Sequence, residues 1–145
     1  MIPAARGSAQ VRLAPLTRPE TLYRLGEISI GFVVCAADGM TTRRPAFHAV
    51  ERGAVVILTL MTPELEQQLE AEQPITYLAE SVNEVTLAGW YASLTGLAEV
   101  IVDPVLRMHY QRALPGFESG HGARVLRLRP RSVDGHRFQR ITAAL

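Results

Sequence analysis

The segment TLAGWYASLTGLAEVIV, residues 86–102, carries the clearest structural signal in the chain. One face of this segment is apolar or small, and its members are Ala88, Trp90, Ala92, Leu94, Gly96, Ala98, Val100 and Val102. The other face is more polar, with Tyr91, Ser93, Thr95 and Glu99. Because successive side chains of a strand point to opposite faces, this period of two predicts a long β-strand with one buried face.

Three shorter apolar segments upstream predict antiparallel strands that follow one another closely. They span residues 28–36, about 41–50, and 54–60. The dipeptides Asp38-Gly39 and Arg52-Gly53 separate them, and an Asp-Gly pair between apolar runs is a strong hairpin signal. The three segments therefore predict a meander of antiparallel strands.

Helices are predicted where capping residues precede a proline or an apolar stripe. Thr17 and Glu20 form a Thr-x-x-Glu capping box, and Thr62-Pro63 and Asp103-Pro104 are further N-cap signals. Strands are predicted at residues 75–82 and 123–131. The order α-β-β-β-α-β-β-α-β predicts a mainly β fold, a six-stranded antiparallel split β-barrel with flanking helices.

Length and cysteine content limit the organisation of the chain. At 145 residues the chain is expected to form one domain at 16–145, preceded by a flexible N-terminal arm at 1–15. Cys35 is the only cysteine, which excludes an internal disulfide and a thiolate metal cluster. We see neither an apolar run of about 18 residues nor a secretory signal, so the predicted location is cytoplasmic, with no membrane partner and no metal.

The charge distribution restricts where an anion can bind. All fifteen basic residues are arginine, and none lies between Arg52 and Arg107. An anion site must therefore use Arg43, Arg44 or the arginines of the C-terminal part. The net charge of +1 gives no support to nucleic-acid binding, which we regard as unlikely.

Several features occur in the same order as in a known family. Pro45 follows the Asp38-Gly39 turn, the segment VILTLMTPEL leads from a strand into a helix, Gly89-Trp90 lies in the long strand, and RLRPRSVDG comes near the end. In this order the chain, over about residues 16–141, resembles the FMN-binding split barrels of the pyridoxamine 5′-phosphate oxidase-like superfamily.

The resemblance implies a homodimer with a flavin nucleotide at the subunit interface. Its phosphate would lie near the corner formed by the second strand, the third strand and the second helix. The flavin site would draw on Arg43, Arg44, His48, Thr59 and Trp90. Thr59 matches the family threonine, but Glu64 stands where the family has lysine, so Arg43 or Arg44 would have to compensate.

Each of these residues also has a structural interpretation. Thr59 suits an ordinary strand position, His48 a packed histidine and Trp90 an apolar core or dimer contact. The two arginines suit a solvated strand surface. Glu64 lies in the first turn of a helix, where an acidic residue contributes about 0.3–1 kcal/mol.

The sequence thus favours a flavin-nucleotide-binding, oxidoreductase-like protein that acts on a small organic substrate, with FMN as the implied cofactor. No nucleophile–base–acid set is visible, so enzymatic activity is left open and the cofactor would carry the chemistry. The alternative is a non-catalytic split-barrel dimer with an eroded phosphate site. Such a dimer would bind a deazaflavin, a haem or a protein partner.

Overall fold

Antiparallel strands form most of the structure, a computed structural model that describes residues 10–117 and 122–141. In chain order the elements are β1 (Val11–Leu16), α1 (Arg18–Gly26), β2 (Ile30–Ala37), β3 (Met40–Glu51), β4 (Ala54–Leu60), α2 (Pro63–Glu70), β5 (Ile75–Asn83), β6 (Ala88–Val100), α3 (Pro104–Ala113) and β7 (Ala123–Arg140). The prediction of a mainly β, antiparallel fold with flanking helices is confirmed.

The strands are ordered β1-β7-β4-β3-β2-β5-β6, and β6 pairs in addition with β7. Every pairing is antiparallel. Each strand from β2 to β7 therefore has a hydrogen-bonded neighbour on both sides, and the circuit of pairings returns to β7. This arrangement leaves no unpaired edge along much of the circuit.

The described residues form seven strands, one more than the predicted six, and the six-stranded barrel stays a prediction. The additional strand, β1, pairs with the C-terminal half of β7, where Val11 lies opposite Arg140 and Leu16 opposite Gly135. Its side chains are exposed or half-buried and Pro15 interrupts the segment, so neither a buried face nor an unbroken run marks it as a strand in the sequence. Residues 11–15 of the predicted arm lie in β1, and residues 1–9 lie outside the described part. The division into arm and domain stays a prediction.

Two tight turns set the register of the β2–β3–β4 meander. Ala37 pairs with Met40 across Asp38 and Gly39, whose φ angles are 53° and 74°. Glu51 pairs with Ala54 across Arg52 and Gly53, whose φ angles are 50° and 79°. Positive φ at both central residues is the geometry that two-residue hairpins favour, so both predicted turns are confirmed.

The predicted N-caps all form. Thr17 and Glu20 form the reciprocal capping box at α1. The Thr62 hydroxyl accepts a hydrogen bond from the Leu65 amide at 3.2 Å. The Asp103 carboxylate accepts from two amides of α3. Each cap satisfies amide groups that the first helical turn would otherwise leave without partners.

The long strand β6 contains an irregularity opposite β7. Thr95 lies opposite Ser132 and Gly96 opposite Pro130, so Arg131 has no directly opposed residue. A β-carbon on Gly96 would lie 2.1 Å from the backbone oxygen of Arg129. The two backbones approach too closely there for any residue but glycine, which is typical of a bulge.

Strand β4 is buried on both faces and separates two apolar clusters. Val55 and Ile57 belong to the larger cluster with residues from most strands of the circuit, among them Val33, Tyr77, Leu94, Leu126 and Leu128. Val56 and Leu58 pack on the other face against α3 and its surroundings. None of the helices in the described residues is both long and apolar enough to cross a membrane.

Candidate functional site

The five predicted site residues do not come together at one place. His48, Thr59 and Trp90 are 2%, 0% and 8% exposed, respectively. Arg43 and Arg44, near the start of β3, are exposed. The predicted site residues therefore fall into two sets, three buried side chains and two exposed arginines.

His48 lies in a buried hydrogen-bond chain. Its Nε2 is 2.9 Å from the Leu25 carbonyl oxygen, and its Nδ1 is 2.6 Å from the Tyr77 hydroxyl. Because a carbonyl can only accept, Nε2 carries the proton and Nδ1 accepts from the tyrosine. Burial lowers the pKa of His48, although its hydrogen bond to Leu25 opposes that shift. Burial also raises the pKa of Tyr77. The histidine joins α1 to β3 and β5, which is a structural role.

Thr59 and Trp90 are likewise engaged inside the fold. The Thr59 hydroxyl donates to the Pro45 carbonyl at 3.5 Å and has no exposed surface. Trp90 packs in the larger cluster, and its edge borders a surface groove that Arg24 and Arg137 also line. The assignment of these residues to a flavin stays a prediction, and their burial favours packing roles.

Arg43 and Arg44 lie on opposite sides of β3. Arg44 is opposite the fully buried Val33, whereas Arg43 is opposite Val34. Directly opposed residues share a face, so Arg43 is on the outer face of the sheet. Its guanidinium carbon lies 4.6 Å from the centre of the Phe32 ring, within the range of a cation–π interaction.

Arg43 and Phe32 border a groove on the outer face of β2, β5 and β6. We call it the outer groove, and its further lining includes Leu78, Glu80 and Tyr91. The space that these residues line has a volume of about 130 Å³. An adjoining space of about 520 Å³ shares Phe32 and Glu80. A surface with aromatic walls, one cation and one carboxylate suits a flat, partly polar ligand.

The corner between β4 and α2 is a capped helix start with mixed charge. Glu64 lies half-buried in the first turn of α2, and no lysine exists to replace it. Burial raises the pKa of the nearby Cys35 thiol; the Glu64 carboxylate adds to this shift and the Arg44 guanidinium opposes it. Glu64 and Arg44 thus have opposite effects on the pKa of the same thiol. The compensation of Glu64 by Arg44 stays a prediction.

Sequence reasoning missed the two aromatic residues of the outer groove. Phe32 lies within the apolar segment 28–36, and Tyr91 lies on the polar face of the long strand, so neither is marked in the sequence as a site residue. Tyr91 stacks on His136, with ring centres 5.2 Å apart and planes 16° from parallel. An aromatic residue among Ser and Thr on a polar strand face was the available signal. Across the described residues, no group of three metal-ligating side chains comes together.

Comparison with known proteins identifies the fold. No family model matches the sequence. An uncharacterised protein of Mycobacterium tuberculosis, Rv0080, is 28% identical over 127 residues, which cover 85% of this chain and 84% of that protein.

This chain aligns with nearly the whole length of two solved structures. A candidate pyridoxamine 5′-phosphate oxidase from Corynebacterium glutamicum has a TM-score of 0.68 and 20% identity, covering 88% of this chain and 99% of that one. An FAD-binding protein from Mycobacterium smegmatis has a TM-score of 0.64 and 22% identity, with coverages of 86% and 97%. The fold is that of the pyridoxamine 5′-phosphate oxidase-like, flavin-binding split-barrel proteins, which confirms the predicted fold family.

Proposed function

We propose, from a fold shared with flavin-binding split-barrel proteins, that this protein binds a flavin nucleotide and passes hydride or electrons between it and a small organic molecule. The observation that carries the proposal is the match over 97% of an FAD-binding protein. A groove with aromatic walls and a guanidinium, on the outer face of the sheet, adds to it. Within the proposal, β2 to β7 form the six-stranded split barrel, β1 is an addition to it, and the location is cytoplasmic.

The outer groove has the residue types that a flavin requires. Phe32, Leu78 and Tyr91 offer apolar and aromatic surface for the ring system. The Arg43 guanidinium offers donors to a phosphate or to the polar edge of the ring. When bound, the flavin supplies the redox chemistry, and the chain's residues bind it, orient it and limit access of water.

The phosphate end of the nucleotide is the weaker half of the fit. Glu64 repels a phosphate dianion by roughly 1 kcal/mol at partly screened distances, and Arg44 at the same corner offsets that repulsion. FMN is the cofactor that the family resemblance implies, and FAD is what one structural neighbour binds. The proposal therefore includes either flavin nucleotide, with FMN as the specific expectation.

The direct test is flavin binding by the purified protein. We expect a yellow preparation, or titration with FMN or FAD that saturates below tens of micromolar, monitored by flavin fluorescence. Arg43→Gln removes the guanidinium that borders the outer groove and should weaken binding about tenfold, the effect of losing one charge-assisted contact. Arg112→Gln, on the exposed surface of α3, is the matched control and should leave binding unchanged. A colourless protein that binds neither nucleotide would refute the proposal.

A second variant tests the phosphate corner separately. Glu64→Lys replaces a carboxylate by the cation found at that place in the family, so flavin phosphate binding should tighten several-fold. Glu64→Gln, which only removes the negative charge, should give a smaller gain. Equal affinities for all three proteins would mean that the phosphate does not lie at this corner.

A further inference from the structure

A second groove, of about 640 Å³, lies between α3, the β3–β4 turn and β7. We call it the α3 groove. Its lining consists of Glu51, Arg52, Ala54, Leu106, Tyr110, Arg127 and Arg129. These residues belong to α3, β7 and the β3–β4 hairpin, whereas the outer groove lies mainly on β2, β5 and β6. The two grooves share no residue.

The α3 groove is positively charged. Three guanidinium groups line it, from Arg52, Arg127 and Arg129. Its one lining carboxylate, Glu51, already accepts a 2.5 Å hydrogen bond from the Tyr110 hydroxyl. Within the described residues the only ion pairs that Arg127 and Arg129 make are with Glu99, at 3.8 and 3.7 Å. Glu99 is 60% exposed, so solvent screens both pairs.

Among the residues that the structure describes, Arg127 is a partly buried cation without a well-placed acceptor. Its side chain is only 23% exposed. Its contacts are the Tyr110 hydroxyl at 3.4 Å and Glu99 at 3.8 Å, both longer than a strong charge-assisted hydrogen bond. A guanidinium has five N–H donors, and these two contacts leave most of them available to a ligand. An anion in the groove would supply acceptors in the bidentate geometry that arginine prefers.

The rest of the groove suits a small apolar body. Ala54 is 8% exposed, and the half-buried Leu106 lies beside it in the lining. The volume is within the range of sites that hold small organic molecules. Tyr110 belongs to the apolar cluster under α3, and its hydroxyl is anchored by Glu51. This anchor keeps the tyrosine oxygen facing Arg127, so Tyr110 and Glu51 position the guanidinium.

We propose that the α3 groove binds a small organic anion, with a phosphate or carboxylate head on Arg127 and Arg129 and an apolar body against Ala54 and Leu106. Arg52, in the β3–β4 turn, adds a third positive charge at the rim. This inference is independent of the proposed flavin site, because it depends on a different set of residues on other elements. A phosphate and a carboxylate head satisfy the same donors, so matched probes that carry each head distinguish them.

The test is isothermal titration calorimetry on the purified protein, with any flavin that it retains. Phenyl phosphate and benzoate carry the two heads on one apolar body, and inorganic phosphate and acetate are the matched heads alone. We expect one of the two aromatic anions to bind at least about tenfold more tightly than its bare head. The preferred head then identifies the ligand class.

Variants locate the site. Arg127→Gln should weaken binding of the preferred anion about tenfold, and Arg129→Gln, a more exposed position, by several-fold. Arg131→Gln lies on the same strand but outside the groove, and should bind within about twofold of the parent. Thermal denaturation checks that each variant is folded. If Arg127→Gln is unfolded, the binding affinity of Arg129→Gln tests the site. Absence of binding at about 10 mM, or equal losses in Arg129→Gln and Arg131→Gln, would overturn the proposal.

Discussion

His48 shows how one buried side chain can connect three elements without any ligand. Its two ring nitrogens are satisfied by Leu25 at the end of α1 and by Tyr77 on β5, while its own backbone belongs to β3. The tautomer follows from these partners, and the neutral ring fits an apolar surrounding. If Nδ1 were protonated, it would no longer accept the hydrogen bond from the tyrosine hydroxyl and would point its own proton at that oxygen.

We therefore expect the stability of the protein to fall as the pH decreases below 6.5, the ordinary pKa of histidine. Burial depresses the pKa of His48 in the folded state, so the unfolded chain binds a proton that the folded chain excludes. Unfolding thus becomes more favourable with acidification, by up to about 1.4 kcal/mol per pH unit for one group. Urea denaturation between pH 7.5 and 5 measures this slope.

His48→Gln is the matched control for the pH effect. Glutamine donates to Leu25 and accepts from Tyr77 through its amide but does not titrate in this range. The variant should have a flatter stability profile below pH 6.5, with the remaining slope due to other groups. An unchanged slope would assign the acid sensitivity to groups other than His48.

Gly96 allows strands β6 and β7 to approach each other closely. Gly96→Ala would place a β-carbon against the Arg129 carbonyl, and neither backbone is free to move within a paired strand. We expect a loss of about 1–3 kcal/mol in the free energy of unfolding. Gly26→Ala, where the nearest atoms to a new β-carbon lie at 3.9 Å, should be nearly neutral. Similar midpoints for Gly96→Ala and the parent in urea would contradict the close approach.

Local signals in the sequence were sufficient to predict the helices and turns. Thr17, Thr62 and Asp103 cap helices through hydrogen bonds to residues within a few positions, so a short segment contains the whole interaction. The alternation of β6 was visible for the same reason. The Asp38-Gly39 turn needs only its own two residues to adopt positive φ.

Pairings between strands that lie far apart in the chain could not be predicted from these local signals. Strand β1 exists because β7 offers an edge more than a hundred residues away, and β7 continues to Arg140 because β1 and β6 both pair with its second half. The outer groove likewise depends on pairings between strands that are distant in the sequence. Arg43 meets Phe32 across a predicted hairpin, but Leu78 and Tyr91 arrive from strands whose neighbours no local pattern specifies.

The whole molecule presents apolar residues around the outer groove that a second copy would cover. Ile30, on the same face of β2 as Phe32, is 56% exposed, and Phe32 and Leu78 of the groove are half-buried. Exposed apolar residues that border a groove often mark an interface. The homodimer implied by the family resemblance remains a proposal that this surface supports.

We expect sedimentation velocity to give a particle of twice the chain mass of 15.9 kDa. Ile30→Glu should shift the population towards monomer and weaken flavin binding in parallel, because a buried unpaired charge is costly. Tyr23→Glu changes an even more exposed apolar residue on α1, 69% exposed, and should leave the mass unchanged. A monomeric parent protein at micromolar concentration would refute the dimer.

The position of β7 in the chain has a consequence for synthesis. This strand hydrogen-bonds to β1, β4 and β6, and it is the last of the seven to leave the ribosome. Until it emerges, the nascent chain carries β4 and β6 with unpaired edges, the kind of surface on which aggregation begins. The circuit of strand pairings can therefore close only after residues 123–140 have been translated. A ribosome stalled before them would carry an open sheet that is prone to aggregate.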